Sequence, residues 1–453
     1  MGERTTLKTM TTTVPSISQE YFIKSLRSLL KKPARTRNPV EFETRKKKEL
    51  QLSVREIERK ILLIARETPG YLTPALTHAL LRAHSKTGDI ERAERVYETH
   101  LGLLRSRQGG EGYSDFYKSG KTLKHNLPHN LLFKAYAQAH ATSPLAWRML
   151  TKGHESHCRK IIARDLAPLS ECTREGSSGE SSATFDTFTL NLIIDGFARS
   201  ASAPALHNLK NTESAIGNEE MGQALMERRR QGHFHTTVSF LREFTAKNSK
   251  FEVPIDTTTI NTLVKVACRA HCVDKAFHLV ENSEAEWGVG VDRVGYNTLI
   301  DFIGSLQDGN GMDSFSFDQI EGLIGAMMAK EIGVDEFTVN AAISGHAFSS
   351  SSRAVSRSID TVESFWNQHK VLPKKEIFVG LFRKLRKEGD SHEAKRLSFL
   401  LEQIREFDKK NDHHGNAEGS FRLSRDTKRC LSAMKGNSIL SATSVENLIR
   451  SIS

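Results

Sequence analysis

The sequence predicts an all-α chain, a solenoid of stacked helix pairs with loops inserted between the helices. Three observations predict it. A short phrase centred on an asparagine recurs at Asn130, Asn191, Asn261, Asn297 and Asn340. Glycine–acid turns join amphipathic segments in Lys86-Thr-Gly-Asp-Ile-Glu-Arg-Ala and in Lys387-Glu-Gly-Asp-Ser-His-Glu-Ala. The strict alternation that marks a strand is weak throughout.

The five phrases share one frame: the asparagine, then apolar residues two and three places on, with an apolar residue before it in all but the first. They read Pro-His-Asn-Leu-Leu-Phe-Lys-Ala (128–135), Thr-Leu-Asn-Leu-Ile-Ile-Asp-Gly (189–196), Thr-Ile-Asn-Thr-Leu-Val (259–264), Gly-Tyr-Asn-Thr-Leu-Ile-Asp (295–301) and Thr-Val-Asn-Ala-Ala-Ile-Ser-Gly (338–345). The asparagines lie 61, 70, 36 and 43 residues apart, so the unit is about 35 residues, a helix-pair period. The longer intervals hold padding, the Ser/Gly-rich 175–182 and the polar stretch from about 200 to 235, and Asp308-Gly-Asn-Gly and serines 349–352 pad two later units.

Within a unit two amphipathic helices follow each other. A glycine stops the first and an acid opens the second. The alanine after that acid, Ala93, Ala276 or Ala394, sits where two helices approach closely.

Lysine and arginine number 65 against 54 aspartates and glutamates, a pI near 9.3, which suits a polyanionic partner. The longest apolar runs, such as residues 61–65, are too short to span a bilayer. Five scattered cysteines imply no disulfide framework and a reducing compartment. Cys268 and Cys272, four apart on one expected helix with His271 between, and the group His154, His157 and Cys158 lack the further ligands that zinc requires. Neither cofactor nor metal is expected.

Residues 1–42 form a basic segment whose first forty residues hold only Glu3 and Glu20 as acids. Tyr21, Phe22, Leu26, Leu29 and Leu30 recur there at helical spacing among Lys24, Arg27, Lys31 and Lys32. A basic, acid-poor amphipathic helix is the mark of an organellar transit peptide. The expected organisation is that segment, a helix within 43–73, the array over 74–408 and a C-terminal tail over 409–453.

Val294-Gly-Tyr-Asn-Thr-Leu-Ile-Asp resembles the start of the pentatricopeptide repeat, and Gly-Asp-Ile-Glu-Arg-Ala at 88–93 resembles its inter-helix turn. The resemblance frames seven units, beginning near Pro74, Asn126, Thr187, Thr257, Arg293, Glu336 and Lys375. It implies a right-handed superhelix whose first helices line a groove for single-stranded RNA, one base per repeat. Asparagine suits a reading position because its amide both donates and accepts. A second reader, implied by the family, is the residue just before the next unit.

That residue is Asp186 after the unit of Asn130, Asp256 after Asn191, Asp292 after Asn261 and Asp335 after Asn297. By the resemblance, asparagine followed by aspartate reads uracil. Elsewhere the code fades: Asn340 is followed by Lys374, His78 by His125, and the last unit offers Val379. Helix capping alone would explain the aspartates. It leaves unexplained an asparagine recurring inside a helix, where that residue is an indifferent former. Lys134, Arg199, Lys265 and Arg269 follow the readers as phosphate contacts, with Arg228–Arg230 reaching RNA from an insertion.

No His-x-Glu with a later Cys-x-x-Cys, no clustered carboxylates on an α/β domain and no phosphate loop is present, so no enzyme is expected. The expected partner is single-stranded RNA, joined by RNA-processing or ribosomal proteins, in an organelle, the mitochondrion favoured over the plastid. The competing expectation is a helical scaffold that docks proteins.

Overall fold

The computed structural model describes residues 18–30, 40–106, 127–140, 152–166, 185–201, 219–247, 249, 251–305, 315–348, 354–369, 371, 377–378, 380–381, 384–385 and 391–411. Among the described residues there are fifteen α-helices, one π-helical turn and no strand. They are α1 (Gln19–Leu29), α2 (Val40–Glu67), α3 (Pro74–Thr87), α4 (Ile90–Ser106), α5 (Pro128–His140), α6 (Lys152–Ile161), α7 (Thr187–Ala201) and α8 (Glu219–Thr245). Then follow α9 (Thr257–Arg269), α10 (Val273–Trp287), α11 (Arg293–Ser305), α12 (Phe315–Ala329), α13 (Glu336–Phe348), α14 (Ala354–His369) and α15 (Ser391–Asn411). Two compact units divide between His271 and Cys272.

In the first unit α3, α5, α7 and α9 pack side by side, each on the next, and α4 and α8 pack behind α3 and α7. Local chemistry sets these helices. Thr73 accepts the Leu76 N–H at 3.4 Å, Pro74 occupies the first turn, and Gly88 ends α3 at φ +70° with its N–H on the His84 carbonyl. A Cβ at Gly88 would meet the Ala139 backbone nitrogen at 2.9 Å, so the turn needs glycine for conformation and for space. Leu76, Leu80 and Leu81 are buried on α3, and Ala93 is fully buried on α4. Ala276 and Ala394 are equally buried in the second unit, as their place after the turn predicts.

The basic amphipathic helix expected near the N-terminus is α1. Ser18 caps it by accepting the Tyr21 N–H, and it buries Phe22 and Leu26 against α2 and α3. Gln19 clamps the entry to α3, donating to the Tyr71 carbonyl and accepting from the Thr73 hydroxyl, each at 2.7 Å. The expected boundary between 42 and 43 therefore falls inside α2. A buried polar cluster ties α2 down: Glu58 takes Arg92 and lies 3.5 Å from His84, while Arg55 donates to Asp89 at 2.8 Å.

In the second unit α10 packs on α11, α11 on α12 and α13, α13 on α14, and α14 on α15. The stretch 200–235, read as irregular padding, is partly helix, because α8 begins at Glu219. Among its described side chains, the buried ones are His233, Phe234, Thr237, Phe240, Leu241 and Phe244. The insertions 175–182, 308–311 and 349–352 lie outside the described residues, as does the tail beyond 411.

Candidate nucleic-acid interface

Aspartate followed three places later by threonine builds the start of three first helices. Asp186 Oδ1 accepts both the N–H and the hydroxyl of Thr189 at 2.9 Å, and Asp256 Oδ1 does the same with Thr259 at 2.7 Å. Asp335 Oδ1 accepts the N–H of Phe337 and of Thr338 at 3.0 Å and the Thr338 hydroxyl at 3.1 Å. Asp292 accepts the Val294 N–H at 2.7 Å, and Gly295 stands where the others have threonine. Thr189, Thr259 and Thr338 are fully buried, so each hydroxyl needs the partner that its aspartate supplies. All four aspartates therefore cap helices.

Capping does not exhaust Asp256. Asn191 Nδ2 on α7 donates to Asp256 Oδ1 at 3.1 Å, across 65 residues of sequence. A carboxylate only accepts, so the amide nitrogen must face it and the amide oxygen is left over. Asn191 Oδ1 is buried with no hydrogen-bond partner among the described residues. Around Asp256 burial pushes the pKa up, but the contacts from Thr259 and Asn191 outweigh it and hold the carboxyl below its ordinary range.

The other asparagines differ in access. Asn297 and Asn340 are half-buried, and Asn297 Oδ1 has no partner among the described residues. Asn261 is 8% exposed and Asn130 is fully enclosed. Asp335, meant to follow Asn297, is joined instead by Arg293 from the first residue of α11, Nε to Oδ2 at 3.1 Å. His78 packs its ring near His100, and His125, Lys374 and Val379 lie outside the described residues.

Four and eight residues beyond the asparagine register, α3, α5, α7 and α9 carry a polar stripe, because i and i+4 share a helix face. It comprises Arg82 and Lys86, Lys134 and Gln138, Asp195 and Arg199, and Lys265 and Arg269. Lys265 Nζ lies 2.6 Å from Asp195 Oδ1, and Arg199 Nε lies 2.7 Å from Asp195 Oδ2. Arg199 Nη1 reaches Gln138 Oε1 at 3.2 Å, so one chain of contacts crosses α5, α7 and α9. Burial raises the Asp195 pKa, but Lys265 and Arg199 prevail and hold it low. Burial lowers Lys134, with Arg82 adding to the effect, and burial lowers Arg269 despite Asp195.

Three apolar side chains escape sequence reasoning. Phe188, Val294 and Phe337 each stand three residues before an asparagine, and they are 36%, 62% and 54% exposed. Lys134 lies 5.9 Å from the Phe188 ring centroid. Their shared offset from the asparagine was the available signal. Arg228 is exposed on the early turns of α8, and Arg230 lies 3.9 Å from Glu227.

The cysteine and histidine groups are structural. Cys268 and Cys272 do not share a helix, because α9 ends at Arg269 and His271 turns at φ +55°. His154 Nε2 contacts the Ile193 carbonyl at 3.1 Å, and its ring meets Phe197 edge-on at 4.8 Å. Burial pushes the neighbouring Cys158 thiol well up, which leaves it inert. No group of three or more metal-binding side chains occurs among the described residues, and none of their helices is long and apolar enough to cross a membrane.

First helices packed on first helices, with the second helices behind them, decide the architecture. This is a helix-pair repeat protein. Among solved structures, the chain aligns with the pentatricopeptide repeat protein PPR10 from maize at 13% identity and a TM-score of 0.27, over 79% of this chain and 46% of that one. It aligns with PPR10 in complex with an 18-nt psaJ RNA element at 13% identity and TM-score 0.25, over 86% and 52% of the two chains. It aligns with yeast Rmd9p in complex with a 16-nt target RNA at 12% identity and TM-score 0.40, over 94% and 76%. The repeat protein spans about half the length of the maize protein. No protein-family model and no curated protein matches its sequence.

Proposed function

We propose that the chain is a pentatricopeptide-repeat protein that binds single-stranded RNA along its first helices, one base per repeat, and favours uridine at its asparagine–aspartate pairs. The observation that carries this is the Asn191 amide, which donates to Asp256 and keeps an unpartnered oxygen. A buried acceptor without a donor costs about 1–3 kcal/mol, and an incoming N–H recovers it. Uracil offers an imino N–H on its Watson–Crick edge, whereas adenine and cytosine place an acceptor nitrogen there. Asn297 Oδ1 has the same unfilled capacity.

Around these readers the surface suits a polynucleotide. Phe188 and Phe337 offer exposed rings on which bases stack, Val294 an apolar face against which one packs, and the cations of the polar stripe meet phosphates. The proposed readers are Asn130 with Asp186, Asn191 with Asp256, Asn261 with Asp292, Asn297 with Asp335, and Asn340. Asn130 joins only after its enclosing shell opens, so Asn191 and Asn297 are the positions to test. Bound to a transcript in an organelle, the array acts sterically, holding RNA unfolded and shielding it or placing a processing factor. No covalent step is involved.

The test is binding of the full chain to labelled U-rich, A-rich and C-rich strands across a salt series. Uridine preference that persists as salt rises, and drops about tenfold in Asn191→Ala and Asn297→Ala, is expected from the loss of one base contact of about 1–3 kcal/mol. Equal, salt-sensitive binding to all three strands refutes base reading and leaves only a basic surface.

A further inference from the structure

We propose that Asp195 is a resident counter-ion occupying an anion site between α7 and α9, where it holds back RNA affinity until a phosphate takes its place. The inference rests on the RNA-binding reading and deepens it. Asp195 is the single acid among the eight stripe residues of α3, α5, α7 and α9; its register holds Arg82, Lys134 and Lys265 on the neighbouring helices. Its two oxygens are divided between two cations, Oδ1 taking Lys265 at 2.6 Å and Oδ2 taking Arg199 at 2.7 Å. Two non-bridging oxygens of a phosphodiester can divide themselves in the same way. Arg269 lies close enough to feel both the Asp195 charge and that of Arg199.

The site is open enough for exchange. The side chains of Asp195, Lys265 and Arg199 are 24%, 33% and 37% exposed, so a phosphate can approach the cations without unfolding either helix. While Asp195 is present, two of the stripe's cations are already neutralised in part, and non-specific attraction is reduced. Its removal frees one unit of positive charge, shared between them, for counter-ion exchange with phosphate, adding about 0.7 to the salt slope on a single strand. Base contacts at Asn191 are untouched, so the gain is the same for every sequence.

The variant is Asp195→Asn, which keeps shape and removes charge, measured in the full chain on heparin and on labelled U-rich and A-rich strands. Heparin carries no bases, so the shift between wild type and variant reads the change at the anion site without any base contact. The expected result is elution at higher salt and about tenfold tighter binding of both strands at low salt. The plot of log K against log salt should steepen by about 0.7, one phosphate's worth, since one carboxylate offsets one unit of charge. The charge-preserving variant Asp195→Glu stays within about twofold of wild type, on the same counter-ion argument. Should D195N not fold by circular dichroism, Asp195→Ser against Asp195→Glu gives the same comparison.

Unchanged heparin elution overturns the proposal, as does weaker RNA binding in a folded D195N, which would make Asp195 a positioning residue. Later heparin elution with unaltered RNA affinity also overturns it, since the site would then lie off the RNA path. If wild type binds heparin but neither strand, the RNA reading fails and the anion site stands by its heparin shift alone.

Discussion

Gly196 lies inside α7, where alanine would ordinarily improve a helix by about 1 kcal/mol. Here the opposite is expected. A Cβ at Gly196 would overlap Cε1 and Nε2 of His154 and come within 3.5 Å of the Ala137 Cβ. His154 has nowhere to go: it is 1% exposed, lies edge-on to Phe197 and holds the Ile193 carbonyl at 3.1 Å. Overpacking costs about 1–3 kcal/mol and the displaced hydrogen bond about 1 more. With the gain in helix preference subtracted, Gly196→Ala destabilises by about 1–3 kcal/mol. At a slope of about 2–3 kcal/mol per M, the urea midpoint followed by circular dichroism falls by about 0.5–1 M. In a His154→Ala background the same change is neutral or stabilising, and the cycle gives a coupling of about 2 kcal/mol. A Gly196→Ala protein with a higher midpoint than wild type would refute the packing of α6 against α7.

Three further outcomes are expected. Phe337→Ala leaves the melting temperature nearly unchanged, since the ring is 54% exposed, yet weakens U-rich RNA by about 1–3 kcal/mol with the salt slope intact; a stability loss without an affinity loss would make the ring structural. Leu26→Ala costs about 2–3 kcal/mol in a thermal melt because α1 is packed on the first repeat, and an unchanged melt would show α1 detached. His100, His129 and His233 are held neutral by burial, with pKa values pushed down from 6.5 to about 4. The unfolded chain protonates them near 6.5 and the folded chain only near 4, so their contribution is complete above 6.5 and is lost as pH falls toward 4, at about 1.4 kcal/mol per pH unit each. A flat stability profile between pH 7 and 5 would contradict that burial.

What was legible in the sequence follows the range of the interactions. The starts at Pro74, Thr187, Thr257, Arg293 and Glu336 agree with the observed helices because caps and turn glycines are local chemistry. The second start, read near Asn126, lies at Pro128, whose ring suits a first-turn position. Periodicity placed Cys268 and Cys272 on one helix because it cannot register a single residue, His271, turning left-handed. The early part of α8 was missed since Glu227 and Arg228–Arg230 interrupt the apolar pattern; among its described side chains burial begins at His233. Of the candidate site, the Asn191–Asp256 contact joins two residues that the resemblance to the pentatricopeptide repeat had paired. The enclosure of Asn130, the Arg293 contact to Asp335 and the exposure of Phe188, Val294 and Phe337 depend on which neighbours arrive from distant sequence.

One carboxylate opens α9 and also holds the amide of Asn191. A substitution at Asp256 that altered base preference would at the same time alter where a helix begins, at a cost of up to about 2 kcal/mol. Residues that cap well are few, namely Asp, Asn, Ser, Thr and Gly. On the proposed reading of RNA, the alphabet open to Asp256 is thereby restricted by folding before any nucleotide is met. A lineage changing target on that reading would drift most readily among these five, and at Asn191, which no helix start depends on, it would be freer.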